Sequence, residues 1–335
     1  MLYKGKKVLI TGGTGSLGNA LTARLLDVGA ETIRIFSRNE SKQIEMESKF
    51  NDDRLRFFVG DVRDSERLTN ALEDVDIVFH AAALKHVPKI EYNPFEAIKT
   101  NVIGSQNVID ASIRQNVEKT ICVGTDKAVS PLNTYGATKL LMEKLFVNAN
   151  NYLNQEKHKT KFIAVRYGNV LGSSGSVIPK FIDLIKNGKP ITITDLKMTR
   201  FTITMNEALD FILNATEIGK GSEIFIPKLS AYDIEVLIEA LTELIGKTER
   251  KIIGIRPGEK LHETLINTDE MRYGWEVNNM YMITNPHYEL FNDIEHQKQY
   301  EKIKKIENMS AYTSDIAPKI SKEEFSEKIK QSGLV

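Results

Sequence analysis

The sequence holds a single cysteine, Cys122, and a single tryptophan in 335 residues. One thiol excludes an intrachain disulfide framework, so packing alone must hold this chain together. Cys122 lies in an apolar run and reads as a buried core thiol, because no sequence neighbour would lower its pKa. Charge of one sign is also missing: 45 Lys and Arg balance 45 Asp and Glu. That excludes nucleic-acid binding through a global basic field, though not a local anion site. No apolar run is long enough to cross a bilayer. The opening Met-Leu-Tyr-Lys-Gly-Lys-Lys has no apolar signal segment, so a cytoplasmic protein without membrane association is expected. Metal-ligand spacing is absent too. His80 ends an apolar run and reads as core, while His86 and His262 lack suitably spaced partners, so no metal is expected.

What the chain does have is alternation. The run 7–11 reads as a buried strand; Leu17, Leu21, Leu25 and Val28 then form one helical face, stopped by Gly29. Apolar runs at 32–36, 55–59, 76–79, 119–123 and 162–166 read as further strands, with helical patterns between them. This predicts an α/β fold: a Rossmann-like, doubly wound parallel sheet, covered on both faces and binding ligands at the carboxyl ends of its strands. After about residue 170 turns crowd in. Helices over 206–218 and 234–245 and strands over 223–226 and 251–255 read as a smaller α/β substrate lobe. The predicted division is 1–170 for the dinucleotide-binding domain and 171–335 for the lobe, with the chain crossing between them. The charged tail from about 290 reads as surface helix and loop.

Thr11-Gly-Gly-Thr-Gly-Ser-Leu-Gly18 follows the first strand and opens the first helix. Gly12, Gly15 and Gly18 let backbone approach a pyrophosphate, and Thr14, Ser16 and Leu17 complete the loop whose N–H groups receive it. After the second strand, Ser37, Arg38, Asn39 and Lys42 occupy the slot where an NAD binder usually carries an acid. Small and basic groups suit a 2′-phosphate, which favours NADP; the other reading of Arg38 and Lys42 is a solvated helix start. Asp61 and Val62 follow the third strand, where an acid could meet the adenine amino group. Ala81, Ala82 and Ala83 follow the fourth and leave room for the cofactor, and Asn101 lies in the next helix.

Tyr135-Gly-Ala-Thr-Lys139 places a phenol and an ammonium on one helical face. Lys139 would lower the phenol's pKa, giving a phenolate that takes a proton from a sugar hydroxyl as hydride leaves for nicotinamide. Thr125, ten residues upstream, would hydrogen-bond the same hydroxyl.

The glycine loop, Thr125 and the Tyr135/Lys139 pair together resemble the extended short-chain dehydrogenase/reductase family. Longer strings narrow the likeness. They are Ala81-Ala-Ala-Leu-Lys-His-Val-Pro88, Glu91-Tyr-Asn-Pro94, Thr125-Asp-Lys-Ala128, Asn133-x-Tyr-Gly-Ala-Thr-Lys139, Arg166-Tyr-Gly-Asn169, Met198-Thr-Arg-Phe201 and Gly254-Ile-Arg-Pro-Gly-Glu-Lys-Leu-His-Glu263. Over roughly residues 5–285 they resemble the inverting UDP-N-acetylglucosamine 4,6-dehydratases, which open pseudaminic acid synthesis.

That resemblance implies a lyase. C4 of the sugar is oxidised, water is lost across C5–C6, and the hydride returns to C6, so tightly bound NADP is regenerated in each turnover. It implies UDP-N-acetylglucosamine as substrate, a homo-oligomer (dimer or hexamer), and contacts of Tyr135 and Lys139 with the cofactor. It assigns Asp126 as acid and Lys127 as base; retaining relatives carry an acidic residue at the latter position. A lysine base must spend time neutral, which burial or a neighbouring cation would favour, and a desolvated cleft favours protonated Asp126. The bland alternative is a surface ion pair in a turn. For substrate binding the resemblance points to Lys85, Thr125 and Asn169, with Arg256 and Glu259 clamping the diphosphate and a ribose hydroxyl. Arg200 is either a substrate contact or structural. Two departures stand out: Gly124 replaces a usual serine and is expected to matter little, and Ser174 replaces a frequent arginine, which bears on substrate identity. The competing readings are a nucleotide-sugar 4-epimerase or dehydratase/epimerase, and a non-catalytic NADP-sensing regulator. An epimerase has no use for an acid and a base at 126 and 127, and a regulator would be expected to lose Tyr135 or Lys139.

Overall fold

In the computed structural model, which describes residues 2–154, 156–173, 175–287 and 296–335, the six apolar runs form six strands. These are β1 (Lys7–Thr11), β2 (Thr32–Ser37), β3 (Leu55–Val59), β4 (Ile77–His80), β5 (Lys119–Val123) and β6 (Lys161–Val165). They pair in parallel in the order β6-β5-β4-β1-β2-β3. β4 and β5 are buried along their whole length, as a sheet covered on both faces requires. The chain runs outward from β1 to β3, then returns to the other side of β1. That reversal opens the crevice between the ends of β1 and β4 where such sheets bind ligands. Leu21 and Leu25 of helix Ser16–Asp27 are fully buried, and Gly29 follows the helix end with φ +84°.

Later strands fall into several sheets. These are β7 (Asn169–Val170), β8 (Ile191–Ile193), β9 (Thr199–Ile203), β10 (Ile224–Pro227), β11 (Ala231–Asp233), β12 (Arg250–Ile252), β13 (Thr264–Ile266), β14 (Gly274–Val277), β15 (Met280–Ile283), β16 (Lys304–Lys305) and β17 (Tyr312–Thr313). β10 joins β6 in parallel, and β15, β14 and β16 extend the large sheet antiparallel to ten strands. β7, β9 and β11 form a small sheet of their own. The strand expected over 251–255 ends at Ile252; all three of its residues are exposed, and Gly254 takes φ +81°.

Helices Val177–Lys186, Ile234–Leu244 and Lys322–Gln331 enclose a second core that includes Phe181, Leu237, Leu241, Phe325 and Ile329. Tyr232 of β11 stacks on Phe325 with ring centroids 4.7 Å apart. The tail is therefore more than surface: Tyr300, Ile306, Tyr312, Phe325 and Ile329 are all buried. Its charges lie on the outer face of the last helix, while Phe325 and Ile329, four apart, turn inward. Residues 288–295 of that tail lie outside the described residues.

Directly after β6, Arg166 is fully buried. Its Nε donates to Glu143 at 3.0 Å and its Nη2 to Glu143 and to Glu270, the latter at 2.9 Å. Nη1 reaches Glu270 at 3.0 Å and the Leu265 carbonyl at 2.7 Å. All five guanidinium N–H groups thus have acceptors. Glu143 belongs to helix Thr134–Ala149 and Glu270 to the turn after β13, so one side chain joins sheet, helix and C-terminal half. Arg166→Met leaves Glu143 buried without its cation; a loss of about 3–5 kcal/mol in denaturant unfolding is expected. A loss under about 1 kcal/mol would show that the triad adds nothing net.

Candidate active site

The glycine loop is pressed against the exit of β4. Gly12 has φ +67°, its N–H donates to the Phe36 carbonyl at 2.8 Å, and a Cβ on it would lie 2.9 Å from Ala82 backbone atoms. Only glycine fits there. Gly15 caps helix Ser16–Asp27 without any side-chain bond to the first N–H groups, so this helix start, which carries Ser16, Leu17 and Gly18, offers donors to an anion. Thr14 lies in the same turn, and Ala81, Ala82 and Ala83 line the facing segment. A dinucleotide pyrophosphate fits this cradle.

Beside it, Thr11 Oγ1 meets the Ala82 N–H at 3.2 Å and His80 Nδ1 at 2.8 Å. His80 is wholly buried, which with the nearby Lys139 charge pushes its pKa down to about 3; it is a neutral core residue. Asn101 is also wholly buried. Its side chain bonds both the N–H (2.8 Å) and the carbonyl (2.9 Å) of Leu84, and Thr138 at 3.0 Å. Its amide fastens the segment after β4 to helix Thr134–Ala149.

At the end of β2, Ser37 Oγ accepts from Gln43 at 3.0 Å, and Asn39 caps the next helix through the Lys42 N–H at 3.0 Å. Arg38 and Lys42 are exposed. Arg38 comes within 3.8 Å of Asp61, whose carboxylate is gripped by Arg63 at 2.7 Å. Partial burial pushes the Asp61 carboxyl up, but the Arg63 hydrogen bonds and Arg38 charge outweigh it and hold the group below its usual range. Val62 is buried against Gly104.

The chemistry-bearing turn follows β5. Thr125 caps the short helix Asp126–Ala128 and donates to Asp126 Oδ1 at 2.8 Å, beside the Tyr135 phenol. A Cβ on Gly136 would fall 2.2 Å from the Lys127 carbonyl, so the turn rests directly on the helix that carries Tyr135. Tyr135 is buried, which pushes its phenol up to about 12. The charge that opposes this is Lys127, not Lys139. This corrects the expectation from helical spacing. Lys139 Nζ donates to the Val123 carbonyl at 2.8 Å, and burial brings its pKa down to about 8.

Lys127 also departs from expectation. Its Nζ lies 3.0 Å from Asp126 Oδ1, 3.2 Å from Asn169 Oδ1 and 3.6 Å from Glu263 Oε1. Desolvation opposes the charge, but the two carboxylates outweigh it and hold the amine above its ordinary pKa. Burial therefore does not favour neutral Lys127 in this arrangement. Glu263, to which sequence reasoning gave no role, is 3% exposed and joins the site from just before β13.

Among the other candidates, Arg200 donates to the carbonyls of Thr199 (2.7 Å), Leu261 (3.0 Å) and Lys260 (3.0 Å), which favours its structural reading. Arg256 is exposed and 3.6 Å from Glu259. Their loop docks on the Tyr135 helix, since Asn133 both caps that helix and donates to the Gly258 carbonyl at 2.9 Å. Lys85 is exposed after β4. Gly124 donates to the Val165 carbonyl at 2.6 Å, and a side chain there would meet that oxygen; this departure has a packing reason. Ser174 lies outside the described residues.

Residues 8–285 match the family described as "Polysaccharide biosynthesis protein". The chain is 48% identical over 96% of both chains to the UDP-N-acetylglucosamine 4,6-dehydratase (inverting) of Campylobacter jejuni strain 81-176. It is 43% identical to the UDP-glucose 4-epimerase of Rickettsia bellii, covering 97% of this chain and 96% of that one. Among solved structures, Pen from Bacillus thuringiensis is similar with a TM-score of 0.89, at 41% identity over 100% of both chains. Among the described residues no helix is long and apolar enough to cross a membrane.

Gly12→Ala should abolish retention of a dinucleotide through purification while leaving the far-ultraviolet spectrum unchanged, because the added carbon collides with Ala82. Undiminished retention, read by absorbance of the released nucleotide, would remove the loop from the cofactor site.

Proposed function

The chain belongs to the polysaccharide-biosynthesis family of extended short-chain dehydrogenase/reductases, and from that membership we propose that this enzyme is an inverting UDP-N-acetylglucosamine 4,6-dehydratase. One observation carries the reading. Asp126 is buried with one carboxylate oxygen unpartnered among the described residues, and it touches both Lys127 and Thr125. Thr125 in turn touches Tyr135. A 4-epimerase, the activity in the Rickettsia relative's name, would employ Tyr135 and Lys139 but gives Asp126 and Lys127 nothing to do.

A bound nicotinamide cofactor would supply the acceptor for the C4 hydride and its donor to C6, leaving no net redox change. Gly12, Thr14, Gly15, Ser16, Leu17 and Gly18 would hold its pyrophosphate. NADP is the form proposed, because Arg38 and Lys42 stand exposed where an NAD binder carries an acid. Tyr135 takes the C4 hydroxyl proton while Thr125 hydrogen-bonds that oxygen. The resulting ketone acidifies the C5 proton, which the Lys127 amine removes. Asp126 delivers a proton to the C6 hydroxyl, which departs as water and leaves a C5–C6 double bond; hydride return to C6 would be matched by a solvent-derived proton delivered to C5 on the face opposite the one it left. Asn169, Lys85, Arg256 and Glu259 would bind the sugar and diphosphate. The product is a 4-keto-6-deoxy sugar nucleotide of the kind from which pseudaminic-acid-type sugars are built. A homo-oligomer is proposed with it: Tyr92, Phe95 and Leu141 are exposed on adjoining helices.

The product formed from UDP-N-acetylglucosamine in deuterium oxide tests the reaction. A 4-keto-6-deoxy sugar with deuterium at C5 and inverted C5 configuration, read by NMR, is expected; a simple 4-epimer would sink the proposal. Lys127→Ala should lower kcat by about 10²–10⁴, the range for loss of a positioned base; unchanged turnover with inversion removes Lys127 from that role. Arg38→Ala should weaken NADP binding by about 10-fold or more, the equivalent of one charged hydrogen bond, and leave NAD binding unaltered. Equal effects on both cofactors would argue for NAD.

A further inference from the structure

Lys127 faces charged or titratable groups from every element packed on it. They are Asp126 on its own turn, Tyr135 on the following helix, Arg200 on β9, Tyr232 on β11, and Lys260 and Glu263 on the segment before β13. Glu263 is the unexplained member. Its side chain is 4% exposed, and Oε1 stands 3.6 Å from both Lys127 Nζ and Arg200 Nε. Its Oε2 is buried without a hydrogen-bond partner among the described residues. Such a carboxylate is costly to bury unless a cation answers it. Arg200 does not need it, being anchored already by three backbone carbonyls. Lys127 has no such anchor: its remaining contacts are Asp126 and the neutral amide of Asn169.

We infer that Glu263 is a positioning residue that holds the Lys127 amine opposite Asp126 and biases it toward the ammonium form, and so sets the pH at which Lys127 can accept a proton. The consequence for turnover rests on the proposed role of Lys127 as base; the electrostatic link between the two side chains does not. The sign follows from charge. A carboxylate beside an amine stabilises the ammonium, so removing it lets the amine become neutral at lower pH.

The test is pH-dependent acetylation of the holoenzyme with acetic anhydride, with Lys127 followed by peptide mass spectrometry. In Glu263→Gln the half-labelling pH of Lys127 should fall by at least one unit, a 10-fold rise in labelling at a fixed pH below it. Glu263→Asp, whose carboxylate is drawn back by one methylene, should move it less and in the same direction. It also carries the test if the glutamine variant does not fold. The rising limb of kcat against pH should move down with the labelling, while KM changes less than threefold. An unmoved labelling midpoint in a folded variant overturns the inference. A midpoint that moves while the kcat limb stays put supports the Glu263–Lys127 link and overturns instead the assignment of Lys127 as base.

Discussion

A buried guanidinium with every donor engaged is the constraint on which the remaining geometry depends. Arg166 leaves water completely, and that desolvation is offset only because Glu143, Glu270 and the Leu265 carbonyl meet all its N–H groups together. The acceptors come from two distant parts of the chain, Glu143 from the helix and Leu265 and Glu270 from β13 and the turn after it. The helix bearing Tyr135 and Lys139 is thereby tied to β6, and β6 to the segment that delivers Glu263. A site assembled from residues more than a hundred positions apart needs such a tie, because loops alone would leave its members loosely placed.

Within the site the charges alternate. Asp126, Lys127, Glu263 and Arg200 follow one another as acid, base, acid, base, each a few ångströms from the next. In such a row each charge lies beside an opposite charge, so removing one member leaves its neighbours without compensation. The Tyr135 phenol, buried at the head of the row, is pushed up to about 12, and the charge that lowers it comes from Lys127. The electrostatic state of Lys127 is accordingly set by the group around it and not by one neighbour.

The parallel sheet was legible because runs such as Ile-Val-Phe and Thr-Ile-Cys-Val have no polar face to present to water. The glycine loop was legible because its spacing lies between a strand and a helix. The antiparallel edge strands were less so: β16 is two exposed lysines, with no apolar pattern at all. The tail's inward pair, Phe325 and Ile329, was hidden by the charges around it. Helical spacing correctly put Tyr135 and Lys139 on one helix, yet it could not reveal the Val123 carbonyl that takes the Lys139 ammonium, since that acceptor belongs to β5. Glu263 carried no local mark. A carboxylate's burial is decided by partners distant in sequence, here Lys127 and Arg200, and composition around it says nothing of them.

The stack of Tyr232 on Phe325 has a temporal meaning. Tyr232 and Asn169 line one small cavity, and Asn169 accepts from Lys127 Nζ at 3.2 Å, so two side chains stand between the last helix and the Lys127 amine. On a ribosome adding roughly 5–20 residues per second, about 200 residues separate Asp126 from Phe325, a delay on the order of 10–40 s. Through that interval the wall behind Asn169 lacks its backing ring. The surroundings of Lys127 are thus among the last parts of this protein to be backed as the chain is made.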